Sequence, residues 1–249
     1  MVTLRTRPLV LAPLQPGDPC AHCGARAVSV CNAIERKDLE RLAAVAVQIT
    51  VEPGRSFIAE GDPAEHFFNV TGGTAKLYKL LPDGRRQITG FAGVGHFLGL
   101  AVSSSYAFSA EALEPMQICR FSRTRLRVLL DDFPAMEKRL LEVASNELVA
   151  AQEQMLLLGR KTARERLASF LIDRAALPSH CLGHRPGIAE TVQLPMTRND
   201  IADYLGLTIE TVSRTLTKLK GEGLIEIPSA ARVVIRRHAA LESIATGMA

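Results

Sequence analysis

A chain of 249 residues, 47% hydrophobic and 22% charged, can bury one large core or two modest ones, which excludes an intrinsically disordered protein. Its net charge of +4, from 30 basic and 26 acidic residues, permits an anionic partner without requiring one. The apolar stretch Leu9 to Ala12 is cut by Pro13 and falls far below the roughly 20 residues of a spanning helix, so the expectation is a soluble cytoplasmic protein with no membrane partner.

Residues 1–19 are Pro-rich and are expected to be loosely ordered. Cys20, Cys23 and Cys31 follow as C-x2-C-x7-C. Glu35 to Val47 carries Leu39, Leu42, Ala43 and Ala46 at helical spacing, which predicts a short amphipathic helix. From Ile49 to about Asp132 short apolar runs alternate with Pro53-Gly54, Gly61-Asp62, Gly72-Gly73, Asp83-Gly84, Gly93 and Gly95. That texture predicts an antiparallel barrel or sandwich, with its clearest hairpin at Pro82-Asp83-Gly84.

Phe133-Pro134 opens a long helix, because proline is preorganised for a first helical position. Within it Leu141, Ala144, Leu148, Ala151, Met155 and Leu158 recur at spacings of three and four. This is either a coiled-coil seam between two copies of the chain or the face of a helix packed on its own barrel. Beyond Gly159 a second helical stretch runs from Thr162 to Ala176, followed by a loop with Pro178, Gly183, Pro186 and Gly187.

Thr197 and Asp200 form a capping arrangement for a helix that ends at Gly206, and Thr208 caps the next helix, Ile209 to Lys220. Two short helices joined by a glycine-containing turn predict a helix-turn-helix. At 100° per residue Ile209, Val212, Leu216 and Leu219 share one arc, and Glu210, Ser213, Arg214 and Thr217 the opposite one. The polar arc is either an ordinary exposed face or a base-reading one. Arginine can grip guanine O6/N7, glutamate can accept from cytosine, and serine can do either. Leu224–Ile227 and Arg232–Ile235 add a hairpin, giving a winged helix.

The fold class is therefore α+β: an N-terminal segment and helix (1–49), an antiparallel barrel or sandwich (50–132), a long helix (133–160) and a C-terminal winged helix-turn-helix (161–249). Cysteines of a cytoplasmic protein are reduced, so Cys20, Cys23, Cys31 and the distant Cys119 suggest metal or redox chemistry. Four soft thiolates suit an iron-sulfur cluster or zinc. A thiol redox enzyme using Cys20 and Cys23 would need a βαβ unit, which the sequence does not show. Inert core thiols would explain Cys119 but not the triad. Cys181, beside His180 and His184, reads as a solvated loop thiol.

The run Met196 to Arg214, MTRNDIADYLGLTIETVSR, resembles the helix-turn-helix of the cAMP receptor protein and FNR superfamily, on its FNR side. Barrel, long helix and winged helix-turn-helix occur in that family's order, so the resemblance covers nearly the whole chain and implies a jelly-roll-like β-roll for 50–132 and a dimerisation helix for 133–160. It implies a non-enzymatic homodimeric transcription regulator on double-stranded DNA. Glu210, Ser213 and Arg214 would read a TTGAT-type palindrome, with Thr208, Thr197 and Arg198 beside them. It also implies an oxygen-responsive 4Fe-4S cluster held by Cys20, Cys23, Cys31 and Cys119, with the cysteine spacing of alphaproteobacterial members. The tip Asp83, Gly84 and Arg85 would face RNA polymerase. The cyclic-nucleotide branch holds its ligand with a glutamate and an arginine. Here the matching stretches are Gly95-His96-Phe97-Leu98-Gly99-Leu100 and Ser105-Tyr106-Ala107-Phe108-Ser109, so no cyclic nucleotide is expected. Haem ligation would need a barrel histidine; His66 and His96 carry no specific signal.

Overall fold

The computed structural model describes residues 20–100, 104–176 and 190–248. The Pro-rich start and the loop with His180, Cys181 and His184 lie outside them. The chain divides into two compact units, Met1–Lys79 with Thr89–Val149, and Leu80–Ile88 with Ala150–Ala249.

In the first unit three 3-10 turns, Arg26–Val28, Val30–Ala33 and Arg36–Asp38, lead into α1 (Leu39–Val45). The helix is shorter than predicted. Ala46 and Val47 already belong to β1 (Ala46–Val51), paired with Phe121 and Arg120, because the β-branched run Val47, Ile49, Thr50, Val51 fits a pleated ladder better than another helical turn. Then come β2 (Ser56–Ile58), β3 (His66–Gly72), β4 (Ala75–Leu80), β5 (Arg86–Ala92), β6 (Phe97–Leu98), β7 (Ser109–Ala112) and β8 (Met116–Ser122). They form two four-stranded sheets, in the orders β1-β8-β3-β6 and β2-β7-β4-β5, which is the expected β-roll. At the β4–β5 tip Gly84 takes φ +87°, the Leu81 N–H donates to the Arg85 carbonyl at 2.8 Å, and Asp83 Oδ1 accepts from the Arg85 N–H at 3.0 Å.

The first sheet is buried on both faces, and the period of two sorts its side chains. Ile49, Phe68, Val70, Met116 and Ile118 fill the roll interior with Ile58, Ala75 and Ala110 of the second sheet. Phe67, Cys119 and Phe121 face the other way, into a separate cluster with Val30, Cys31, Ile34, Leu39 and Leu42. That second cluster is closed by α2 (Arg123–Asp132) through Leu126 and Leu129, and by Met136 and Leu140 of α3 (Pro134–Arg160). Residues 123–132 are thus helical, where the sequence reading placed them in the β-roll. The helix starts directly at the end of β8 with no side-chain cap to announce it. α3 begins at Pro134, as expected.

The second unit contains α4 (Ala163–Ala176), β9 (Glu190–Gln193), α5 (Arg198–Leu205), α6 (Ile209–Gly221), β10 (Ile225–Ser229), β11 (Arg232–Ile235) and α7 (His238–Ala245). The wing is a three-stranded sheet ordered β10-β11-β9 rather than a lone hairpin. Phe170 of α4, Leu205 of α5, Leu216 of α6 and Leu241 of α7 are among the buried side chains of this unit. Arg166 of α4 ties the end of α3 to the helix-turn-helix. Its guanidinium donates to the carbonyls of Leu158, Lys161 and Leu205, each at 2.8 Å. Hydrogen bonds from a charged donor are worth about 1.5–3 kcal/mol each at most, and half-burial with partial rehydration reduces their sum, so Arg166→Ala is expected to cost about 2 kcal/mol. A fall in the thermal midpoint of the whole chain measures it, and an unchanged midpoint would remove Arg166 from this role.

Candidate nucleic-acid interface and thiol cluster

The helix-turn-helix is held by the caps that the sequence announced. The Thr197 hydroxyl accepts from the Asp200 N–H at 3.1 Å and donates to Asp200 Oδ2 at 2.6 Å, while the Thr197 N–H donates to Asp200 Oδ2 at 3.0 Å, a reciprocal capping box. Gly206 ends α5 in the left-handed region at φ +61°, a conformation that needs glycine. Thr208 Oγ1 then accepts from the Thr211 N–H at 3.2 Å and opens α6. Val212, Leu216 and Leu219 are buried, whereas Glu210, Ser213, Arg214 and Thr217 are exposed. Ile209 departs from its predicted arc at 42% exposed. A helical wheel gives a direction around the axis but no partner along it, and the first turn of α6 protrudes.

The exposed face carries both signs of hydrogen-bonding capacity. Hydrogen bonds from its own backbone N–H and from the Thr208 hydroxyl hold the Glu210 carboxyl below the usual range, so it is an acceptor only. Arg214 offers a planar fork of donors one residue beyond Ser213. Thr197 and Thr208 both engage their hydroxyls in caps, and Arg198 is half-buried.

The thiols lie in the first unit. Local turns shape the segment from Cys20 to Ile34. The Arg26 N–H donates to the Cys23 carbonyl at 3.1 Å, Arg26 Nη2 donates to the Ile34 carbonyl at 2.7 Å, and buried Ser29 accepts from the Cys31 N–H at 3.3 Å. Gly95, at φ +92°, lets this segment settle on the roll, since a Cβ there would meet the Val28 carbonyl at 2.8 Å. Cys31 and Cys119 are buried in the same cluster, against which Cys20 packs. Burial pushes the Cys119 thiol up to about 12, and nearby Cys23, Cys31 and Cys20 push in the same direction. Burial likewise raises Cys31, opposed by the Ser29 hydrogen bond and reinforced by Cys23. The structure thus brings together all four cysteines singled out in the sequence. Among the described residues no three His, Cys, Asp or Glu side chains are gathered as ligands of a single metal ion.

Beyond Leu140 the α3 stripe turns outward. Leu141, Leu148 and Met155 are 68%, 61% and 69% exposed, Ala144 and Ala151 are exposed, and Leu158 is half-buried. Val149 and Leu156 widen the apolar stripe, a feature that the strict three-four reading omitted. For Leu141, Ala144 and Leu148, which belong to the first unit, the reading as a face packed on its own barrel fails on that exposure. Asp83, Gly84 and Arg85 are exposed at the hairpin tip, and His96 Nδ1 lies 3.0 Å from the Gly93 carbonyl. Among the described residues no helix is long and apolar enough to cross a membrane.

Residues 48–133 match the cyclic nucleotide-binding domain family, and residues 165–244 the Crp-like helix-turn-helix domain family. The transcriptional activatory protein AadR of Rhodopseudomonas palustris is 43% identical over 86% of this chain and 88% of its own length. The nitrogen fixation regulation protein FixK of Bradyrhizobium diazoefficiens is 42% identical over 85% and 87%. The structure of FixK2 from Bradyrhizobium japonicum superposes with a TM-score of 0.73 at 36% identity, covering 80% of this chain and 97% of that one. With a β-roll, a long helix and a capped helix-turn-helix in that order, the chain belongs to the Crp/Fnr family of transcription regulators.

Proposed function

We propose that this chain is a homodimeric, oxygen-responsive transcription activator that reads a TTGAT-type palindrome and carries a 4Fe-4S cluster on Cys20, Cys23, Cys31 and Cys119. The observation that carries the reading is the convergence of four cysteines from two distant parts of the sequence on one side of the first sheet, with Cys31 and Cys119 buried, Cys20 packed against their cluster and Cys23 close enough to act on both electrostatically. The donor set fits the group. All four ligands are soft thiols, and a polynuclear cluster spaces its thiolates more widely than one ion does. When bound, the cluster supplies a redox centre open to oxidants.

The chain's own residues do the rest. Cys119 is fixed by the β1–β8–β3 ladder, and Cys31 by the Ser29 turn. The N-terminal segment can therefore be fastened to the roll through the cluster and released when the cluster is lost. The exposed stripe of α3 supplies the dimer seam, which places two α6 helices in successive major grooves. The tip Asp83, Gly84 and Arg85 is free to meet RNA polymerase. A cyclic nucleotide would find neither a glutamate for its ribose nor an arginine for its phosphate in the stretches Gly95–Leu100 and Ser105–Ser109, so this reading assigns it no role as effector. Purification without air, followed by iron and sulfide analysis and an absorbance spectrum, tests the cluster. A brown protein with iron and sulfide in equal amounts is expected, and a colourless protein with one zinc per chain overturns the sensor.

The DNA reading has its own test. Arg214→Ala is expected to cost about 1–3 kcal/mol on the specific site and to relax preference at one base pair, as loss of a bidentate guanine contact should. Equal weakening on specific and random DNA would reduce Arg214 to a phosphate contact.

A further inference from the structure

β3 carries an anomaly. Its neighbours Phe67, Phe68 and Val70 are apolar and buried, yet Asn69 between them is only 1% exposed. Asn69 lies opposite Cys119 in the β3–β8 register, on the thiol side of the sheet. Its Nδ2 donates toward Cys31 Sγ at 3.9 Å, and its Oδ1 is buried with no hydrogen-bond partner. A buried amide with an orphaned acceptor is destabilising, and an apolar side chain of similar volume would be the better choice for packing alone. What the amide provides that leucine cannot is an N–H aimed at a sulfur.

We propose that Asn69 is a positioning residue for the cluster: its amide N–H stabilises the Cys31 sulfur as a charged ligand and raises the cluster's reduction potential, at the expense of stability in the metal-free protein. The proposal rests on the cluster reading above. A thiolate is a far stronger acceptor than a thiol, so the bond gains strength when the sulfur is ligating. Hydrogen bonds to cluster sulfurs are among the factors that set iron-sulfur potentials, because they offset negative charge that reduction increases. Asn69 also reaches both parts of the site. Its backbone belongs to the strand beside Cys119, while its side chain meets Cys31 of the N-terminal segment.

Asn69→Leu separates this role from a structural one through two measurements on the full chain. In the metal-free protein the melting midpoint is expected to rise by about 2–4 °C, because the orphaned acceptor is gone. In the protein reconstituted with iron and sulfide without air, a redox titration followed by electron paramagnetic resonance is expected to show a lower potential. A tenfold shift in the oxidised-to-reduced ratio at fixed poise corresponds to 59 mV for one electron. A lower melting midpoint, or a variant that does not fold, would make Asn69 a structural core amide and overturn the proposal. An unchanged potential with a normal wild-type cluster overturns this inference alone. A wild-type protein that holds no cluster fails the functional reading first and this inference with it.

Discussion

Cys119→Ala is expected to lower the iron content of anaerobically reconstituted protein by more than about tenfold while leaving the β-roll folded. Loss of supporting residues around a metal site already costs 10–100-fold in affinity, and loss of a ligand should cost more. Alanine is the informative replacement. Serine would also be a poor ligand for a soft centre, but it would bury a hydroxyl among Phe67, Phe121 and Leu126, and an unsatisfied hydroxyl costs about 1–3 kcal/mol by itself. Alanine leaves a small cavity on a strand paired on both sides, by β1 and β3, so the sheet should hold. Iron analysis together with far-ultraviolet circular dichroism separates the two effects. Full iron content in Cys119→Ala would dismiss Cys119 as a ligand.

A second large effect is expected from Leu148→Glu. In the single chain Leu148 is exposed, so the change should alter the stability of one subunit by no more than about 0.5 kcal/mol. Across a twofold seam the same change sets two carboxylates against each other where two leucines would pack. The dimer should dissociate, and affinity for a palindrome should fall by about 10²–10⁴, because the second half-site contact ceases to be intramolecular. Ala151→Leu should act in the opposite direction and hold more dimer in the metal-free protein. Sedimentation of the variants at equal concentration, with DNA binding measured beside it, is the check. A Leu148→Glu protein that sediments as wild type would move the seam off this face.

What could be read in advance was written in local chemistry. Thr197 with Asp200, Gly206 and Thr208 mark the helix-turn-helix by short-range hydrogen bonds and one left-handed residue. Pro134 marks the start of α3 by its missing N–H, and Gly84 the β-hairpin by its positive φ. What escaped was decided at long range. β9 has four residues and exists because β11 pairs with it across about forty positions of sequence. α2 follows β8 without a cap, and its apolar Leu126 and Leu129 find their partners in α1 and the cysteine segment. Asn69 did leave a signal, a lone amide within an apolar strand. It gained meaning only when the fold set it against Cys31 and Cys119.

The two-sided burial of β8 turns the placement of Cys119 into a question of parity. Ile118 faces the roll interior and Cys119 the thiol cluster, one residue apart on a strand with partners on both sides. A one-residue deletion or insertion upstream in β8 that kept the ladder in register would exchange these two side chains between the two cores, moving sulfur inside the roll and a branched aliphatic group into the thiol cluster. A two-residue change would preserve the facing while shifting the cysteine by one strand pitch along the sheet. Lineages that lengthen or shorten this strand are therefore restricted to even steps if the thiol is to stay on its side, whereas the loops flanking the strand are free to vary by any number.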